Sequence, residues 1–169
     1  MTTKRWLWAL AVLPLLPLLL VFWAWKLPTR ATADTVILLA GDWEARPADA
    51  GADAAWTPLH IPGSFTDQHL TEPVLRLRRR FVAPRDTVGH DANFVLSNVR
   101  VATVRVFLNG ALIGMRGEPS RGFIGGESGA ETYFIAAHHL REGENTLELE
   151  VTSMRPGYDG ITDSRMLLG

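Results

Sequence analysis

The segment Val104–Gly117, VRVFLNGALIGMRG, constrains the fold more than any other part of the chain. Two short apolar runs flank Asn109-Gly110, and a type I′ turn needs φ > 0 at both central residues, which Asn and Gly tolerate at least cost. Val104, Val106 and Leu108 alternate with Arg105 and Phe107, so the incoming strand has one mostly apolar face. A β-hairpin is predicted here. The same period of two returns over Asn145–Thr152, with Leu147, Leu149 and Val151 expected inward and Glu148, Glu150 and Thr152 outward.

Around that hairpin the chain reads as a series of short strands with turn signals every 8–12 residues and almost no helix, a pattern that argues for an antiparallel β-sandwich. Thr35–Leu39 is expected as a first strand ending at Gly41-Asp42-Trp43, and Trp56–Ile61 as an extended run halted by Pro62-Gly63. Val74–Val82, Asn93–Val99, Val101–Leu108, Ala111–Met115, Thr132–Ala136 and Ile161–Leu168 are further strands, with a helical turn at His138–Leu140. The basic cluster Arg78-Arg79-Arg80 sits on a strand, where consecutive side chains point to opposite faces. It therefore forms no single basic patch, and one partly buried, paired Arg on a solvated face is expected. Gly117–Ala130, GEPSRGFIGGESGA, is a 14-residue Gly-rich loop, and loops of that length inside compact domains are often functional.

The N-terminus has a different character. Trp6–Trp25 is 20 residues without a charge; at 1.5 Å per residue it spans roughly 30 Å, the thickness of a bilayer's hydrocarbon core. Tryptophans at both ends match interfacial belts. Pro14 and Pro17 are tolerable in a membrane helix but kink it. Two readings compete: an uncleaved transmembrane anchor, favoured by the length, and a signal peptide cut near Ala31-Thr32-Ala33. Residues 26–34 form a linker. Both readings place the following domain outside the cytoplasm, in the periplasm with a single-pass inner-membrane anchor or released from it.

Charge and composition exclude several functions. From Asp34 onward there are 13 Arg, no Lys and 18 acidic residues, a net charge of −5, which gives no electrostatic reason to bind nucleic acid. With no cysteine, a disulfide framework, a thiolate metal site and a Cys nucleophile are ruled out. His60, His69, His90, His138 and His139 lack metal-motif spacing. Ca²⁺ needs six to eight oxygens, and no loop concentrates the acidic residues, so no cofactor is expected. Ser64, Ser97 and Ser128 lack a nucleophile-elbow context. Trp43 and Trp56, at strand ends, read as core aromatics rather than stacking platforms.

Six segments in order, GDWEARP, W-x-x-LHIPGSF, LRLRRRFVAP, VRVFLNGALIG, YFIAAHHLREGENTLELEV and GITDSRMLLG, resemble the galactose-binding-like jelly roll at the N-terminus of β-galactosidase and β-glucuronidase family glycosidases. Similar modules occur as periplasmic sensor domains of bacterial membrane signalling proteins. The resemblance covers nearly all of Asp34–Gly169 and implies binding without chemistry, because the catalytic carboxylates of those enzymes belong to a separate barrel domain. The chain departs from the family in the Gly117–Ala130 loop, which lacks the aromatic-rich sequence often found there.

Sugar sites combine a flat apolar platform with planar polar groups that hydrogen-bond hydroxyls in pairs. Arg116, Glu118, Arg121, Phe123 and Glu127 of the long loop, with Tyr158 and Asp159 of RPGYDG, supply such groups. The resemblance implies that an acidic residue before the terminal Gly-Ile projects toward the sugar pocket, and Asp159 matches that position. The expected function is that of a non-catalytic, membrane-anchored binding or sensing module for a carbohydrate or envelope component. The alternatives are a structural subunit docking a membrane protein partner, and an accessory fragment of a glycosidase or of a sensor kinase or cyclase system.

Overall fold

The computed structural model describes residues 35–51, 53–117, 128–153 and 159–168. The expected anchor and linker, residues 1–34, lie outside them; among the described residues no helix is long and apolar enough to cross a membrane. Eleven strands are described: β1 Thr35–Leu38, β2 Gly41–Pro47, β3 Thr57–Ile61, β4 Gly63–Ser64, β5 Val74–Ala83, β6 Ala92–Arg100, β7 Thr103–Leu108, β8 Ala111–Arg116, β9 Ser128–Ile135, β10 Gly143–Thr152 and β11 Gly160–Leu168. They form two antiparallel sheets, one ordered β1-β11-β6-β9 with β4 on β11, the other β3-β2-β5-β10-β7-β8. The all-β antiparallel fold expected from the sequence is the one observed.

One core lies between the sheets. Trp43, Leu77, Leu147 and Leu149 from the six-stranded sheet meet Phe94, Leu96, Ile135 and Ile161 from the other, all essentially buried. Each such side chain contributes roughly 1.5–3 kcal/mol by leaving water. The period of two in β10 works as expected: Asn145, Leu147, Leu149 and Val151 are buried and the intervening residues face out. In β5, Arg79 falls on the core side between Leu77 and Phe81, while Arg78 and Arg80 face out. The Arg79 guanidinium donates to the Asp42 carbonyl at the sheet margin.

The hairpin forms as predicted, with Asn109 at φ 52 and Gly110 at φ 85. Its turn is fastened by amides. The Asn109 side chain donates to the His139 carbonyl and to Asn145 Oδ1, each at 2.8 Å, and accepts the Thr146 N–H at 3.0 Å. Asn145, fully buried, also accepts the Arg141 N–H at 2.9 Å and donates to the carbonyls of Arg141 and Gly143. All four hydrogen-bonding valences of that buried amide are filled.

Three sequence expectations need correction. Gly41–Pro47, expected only as the end of β1, is a seven-residue strand in the other sheet; the alternation of Trp43 and Ala45 against Asp42, Glu44 and Arg46 carries it. The long loop ends sooner than expected, because β9 starts at Ser128 and pairs it with Val99. Trp56 is not a core residue. It lies half-buried beneath the guanidinium groups of Arg78 and Arg46, 3.9 and 4.5 Å from the ring centroid, where cation–π attraction covers its face. Trp43 is in the core as expected, and its indole N–H donates to the Leu39 carbonyl at 2.6 Å.

Candidate functional site

The strand register shows how the two candidate loops are placed. In the six-stranded sheet Val104 of β7 pairs with Arg116 of β8 on one side and Val151 of β10 on the other. In the five-stranded sheet Val99 of β6 pairs with Ser128 of β9 on one side and Ile161 of β11 on the other. The β8–β9 and β10–β11 connections thus leave one sheet on either side of β7 and enter the other on either side of β6. Their ends lie about two strand spacings apart, about 10 Å. The β6–β7 turn, Val101-Ala102, crosses between the sheets in the gap. The two described candidates of the sequence reading, Arg116 and Asp159, both lie at this end of the sandwich.

Of those residues, Arg116 and Asp159 are described; Glu118, Arg121, Phe123, Glu127 and Tyr158 lie outside the described residues. Arg116 closes the β8 side. Its guanidinium lies 2.5 Å from Glu131 of β9 and donates to the carbonyls of Val101 at 2.8 Å and Ala102 at 3.3 Å. Tyr133 donates to the other Glu131 oxygen at 2.5 Å. Burial pushes the Tyr133 hydroxyl far above its usual value of 10.0, and the bond to the Glu131 carboxylate pushes it further. This network bridges the two sheets along their β8–β9 margin.

Asp159 lies on the other side of the turn and is only 5% exposed. Its Oδ2 accepts the Ser153 hydroxyl at 2.7 Å and its Oδ1 the Thr66 hydroxyl at 3.1 Å, while its carbonyl accepts the Phe65 N–H. It lines a recess of about 290 Å³ together with Pro62, Gly63, Ser64, Arg100 and Gly160. That volume is near the lower end of small-molecule sites. Gly160 makes the close approach feasible: its φ is +153°, and a Cβ there would collide with the Gly63 carbonyl. Arg116 is not among the recess-lining residues, so the structure brings it and Asp159 to the same end but not into one pocket.

Sequence reasoning missed Arg100, Thr66 and Ser153. Arg100 ends β6 immediately before the sheet-crossing turn and is exposed; a lone Arg in a strand gave no signal. Thr66 and Ser153 follow the Pro62-Gly63 turn and β10 respectively, and only the fold brings them to Asp159. A second recess at this end, about 380 Å³, is lined by Ala48, Asp49, Glu72, Pro73, Val74 and Glu150. Burial alone would raise the Glu150 carboxyl, but hydrogen bonds from Arg76 at 2.9 Å and Arg105 at 3.3 Å outweigh it and hold the group below its ordinary value. Among the described residues no group of three or more His, Asp or Glu side chains is placed to hold a metal ion.

Chemically, a carboxylate and a guanidinium lining one small, mostly apolar recess can hydrogen-bond a polyol. Ser64 Oγ, the one hydroxyl in the lining, accepts the Asp67 N–H at 3.3 Å, a turn-capping contact.

No family model matches the chain, and no curated protein sequence matches it. Solved structures do share its fold. A β-glucuronidase from an uncultured Clostridium sp. superposes with a TM-score of 0.62 at 16% identity, over 79% of this chain and 29% of that one. The β-D-glucuronidase of Dictyoglomus thermophilum gives 0.61 at 17% identity, over 78% and 27%. A GH2 β-galacturonidase from Eisenbergiella tayi, bound to galacturonate, gives 0.59 at 14%, over 79% and 24%. The likeness to glycosidase domains expected from the sequence is therefore present at the level of fold. This chain spans less than a third of the length of each of these enzymes.

Proposed function

We propose that this chain is a non-catalytic binding or sensing module, membrane-anchored with its sandwich in the periplasm, whose ligand is a carbohydrate or saccharide-bearing envelope component. The observation that carries this reading is the recess lined by Arg100 and Asp159 next to the β6–β7 turn. The fold neighbours support the ligand class, being glycosidases named for uronic-acid sugars. In this reading Arg100 bonds hydroxyls or a carboxylate in pairs and Asp159 accepts hydroxyls, with Glu118, Arg121, Glu127 and Tyr158 as further ligand residues expected from the sequence.

A second reading has its own support: both Asp159 oxygens and the Arg116 guanidinium already hold protein partners. Polar groups so engaged suit a rigid scaffold that docks a membrane protein, or an accessory piece of a glycosidase or a sensor system, better than an open sugar site.

Thermal unfolding of the full chain in detergent against a saccharide panel, with uronic-acid sugars first, separates the two. A ligand at about 100 times its dissociation constant adds roughly 2.7 kcal/mol, a rise of several degrees for a domain this size. A rise with one sugar class, lost in Arg100→Ala and in Arg121→Ala, supports the binding module. A flat response across the panel overturns it in favour of docking.

A further inference from the structure

Charge on the outer face of the six-stranded sheet is ordered in rows. Arg46, Arg76, Glu150 and Arg105 lie across β2, β5, β10 and β7, and Glu44, Arg78, Glu148 and Phe107 form the next row. In the first row Glu150 takes both Arg76, at 2.9 Å, and Arg105, at 3.3 Å. In the second, Arg78 leans toward β2. Its Nε and Nη2 bond one Glu44 oxygen at 2.8 and 2.7 Å, and its guanidinium lies over Trp56. Glu148, directly across on β10, is left without a salt-bridge partner among the described residues. One row further on, Arg80 faces Thr146, a hydroxyl where Arg76 and Arg78 face carboxylates. Beside the Asn109-Gly110 turn these residues open a recess of about 530 Å³ with mostly polar walls. Arg141, from the β9–β10 connection, and Glu144 complete it. Among the described residues the side chains of Arg80, Arg141, Glu144 and Glu148 bond no other protein group.

We infer that this recess is a separate binding site, and that it takes the hydroxyl-rich edge of a neutral saccharide. Its volume falls inside the range of small-molecule sites, about 300–1,000 Å³. The two free guanidinium groups and two free carboxylates cancel, so net charge draws neither an anion nor a cation into it. A guanidinium only donates and an ionised carboxylate only accepts, whereas a hydroxyl does both. Neighbouring hydroxyls of one sugar ring therefore satisfy Arg80 and Arg141 with their oxygens and Glu144 and Glu148 with their hydrogens. A zwitterion matches the same signs, but its own two charges must leave water, at a far higher cost than hydroxyls incur. Among the described residues no aromatic ring lines the recess, and Trp56 is covered by Arg46 and Arg78. Recognition thus rests on hydrogen bonds, and binding is weak. Thr146 lies about 20 Å along β10 from Thr152 at the crossover end. The site is therefore distinct from the recess that holds Asp159 and does not depend on it.

NMR titration of the nitrogen-labelled full chain in detergent micelles tests this. Lactose, maltose, cellobiose and trehalose serve as neutral probes, and glycine and inorganic phosphate as charged ones. The expected result is a saturable shift of the Gly110 amide and of the Arg80 and Arg141 Nε–H signals with at least one disaccharide. Arg80→Ala and Arg141→Ala should each weaken that binding by at least about tenfold, through loss of a charge-assisted donor. Both side chains are exposed and bond no protein group, so the melting temperature without sugar should stay that of the parent. Absence of a shift at these three signals with all four sugars would overturn the inference. So would a stronger response to glycine or phosphate than to any sugar, or an affinity indifferent to both substitutions. The Gly63 and Gly160 amides report separately on the crossover recess, so either site can fail while the other stands.

Discussion

The two ends of the sandwich are built from different chemistry. At the hairpin end, Asn109 and Asn145 lock the β7–β8 turn to the β9–β10 connection through uncharged amides. At the crossover end, Arg116–Glu131–Tyr133, Asp159 and Glu150 hold the sheets and loops together through carboxylates and guanidinium groups. Saturated amides leave nothing to offer a ligand and do not titrate. Carboxylates keep further lone pairs after accepting one bond per oxygen. The turn at the first end is therefore fastened by uncharged groups, and the second end by charged ones.

The sharpest way to break this contrast is Asn145→Ala. It takes one acceptor from the Asn109 amide and the acceptor of the Arg141 N–H, and each unsatisfied buried group costs about 1–3 kcal/mol. A loss of about 3 kcal/mol is expected in urea unfolding, equal at pH 5 and pH 8, with affinity at the crossover recess unchanged in the protein that remains folded. A pH-dependent loss would mean that charge matters at this end too.

Arg116→Ala comes next, at the other end. It leaves Glu131, whose side chain is 10% exposed, without the guanidinium, and removes two donors from the Val101 and Ala102 carbonyls. Breaking a buried pair costs about 3–5 kcal/mol; partial access of water reduces this to about 2 kcal/mol. Hydrogen exchange should quicken along the β8–β9 margin while the Asn109–Asn145 turn stays protected. Loss of protection at both ends alike would show that they unfold as one unit.

These ends were not equally legible in the sequence. The Asn109-Gly110 turn and the alternation of β10 are local patterns, each complete within ten residues, and both were found. The Asn145 network was hidden, because its partners are 36 residues apart in the case of Asn109. At the crossover end Asp159 drew attention only through a family resemblance. Its partners Thr66 and Ser153 are 93 and 6 residues away, and no periodicity links them. Trp56 misled for a related reason. A Trp next to a strand reads as core, yet cation–π cover from Arg46 and Arg78 lets it stay on an outer face.

Asp159→Asn sharpens the contrast within the crossover end. The amide keeps one acceptor for a hydroxyl and presents a donor to the other, which can rotate to accept, so the structural cost is about 1 kcal/mol. If the recess holds a polyol through this carboxylate, affinity falls about tenfold or more, because a charge-assisted bond becomes neutral. A stability loss with no change in a saccharide titration would assign Asp159 to scaffolding alone.

The smallest effect expected is that of Glu150→Gln, and it tests whether the ends differ in their response to acid. Arg76 and Arg105 hold the folded carboxylate below its ordinary value of 4.5. The charged form therefore stabilises the fold above that value, and the contribution is lost as pH falls through the lowered one. At neutral pH the Gln variant should be less stable by about 0.5 kcal/mol, the scale of a partly screened pair. The gap to the parent should close as pH drops below 4.5, because protonation removes from the parent what the substitution has already removed from the variant. Urea midpoints at pH 7, 4.5 and 3 measure it. A gap that stays constant over that range would mean that the Arg76–Glu150–Arg105 cluster acts through packing rather than through charge.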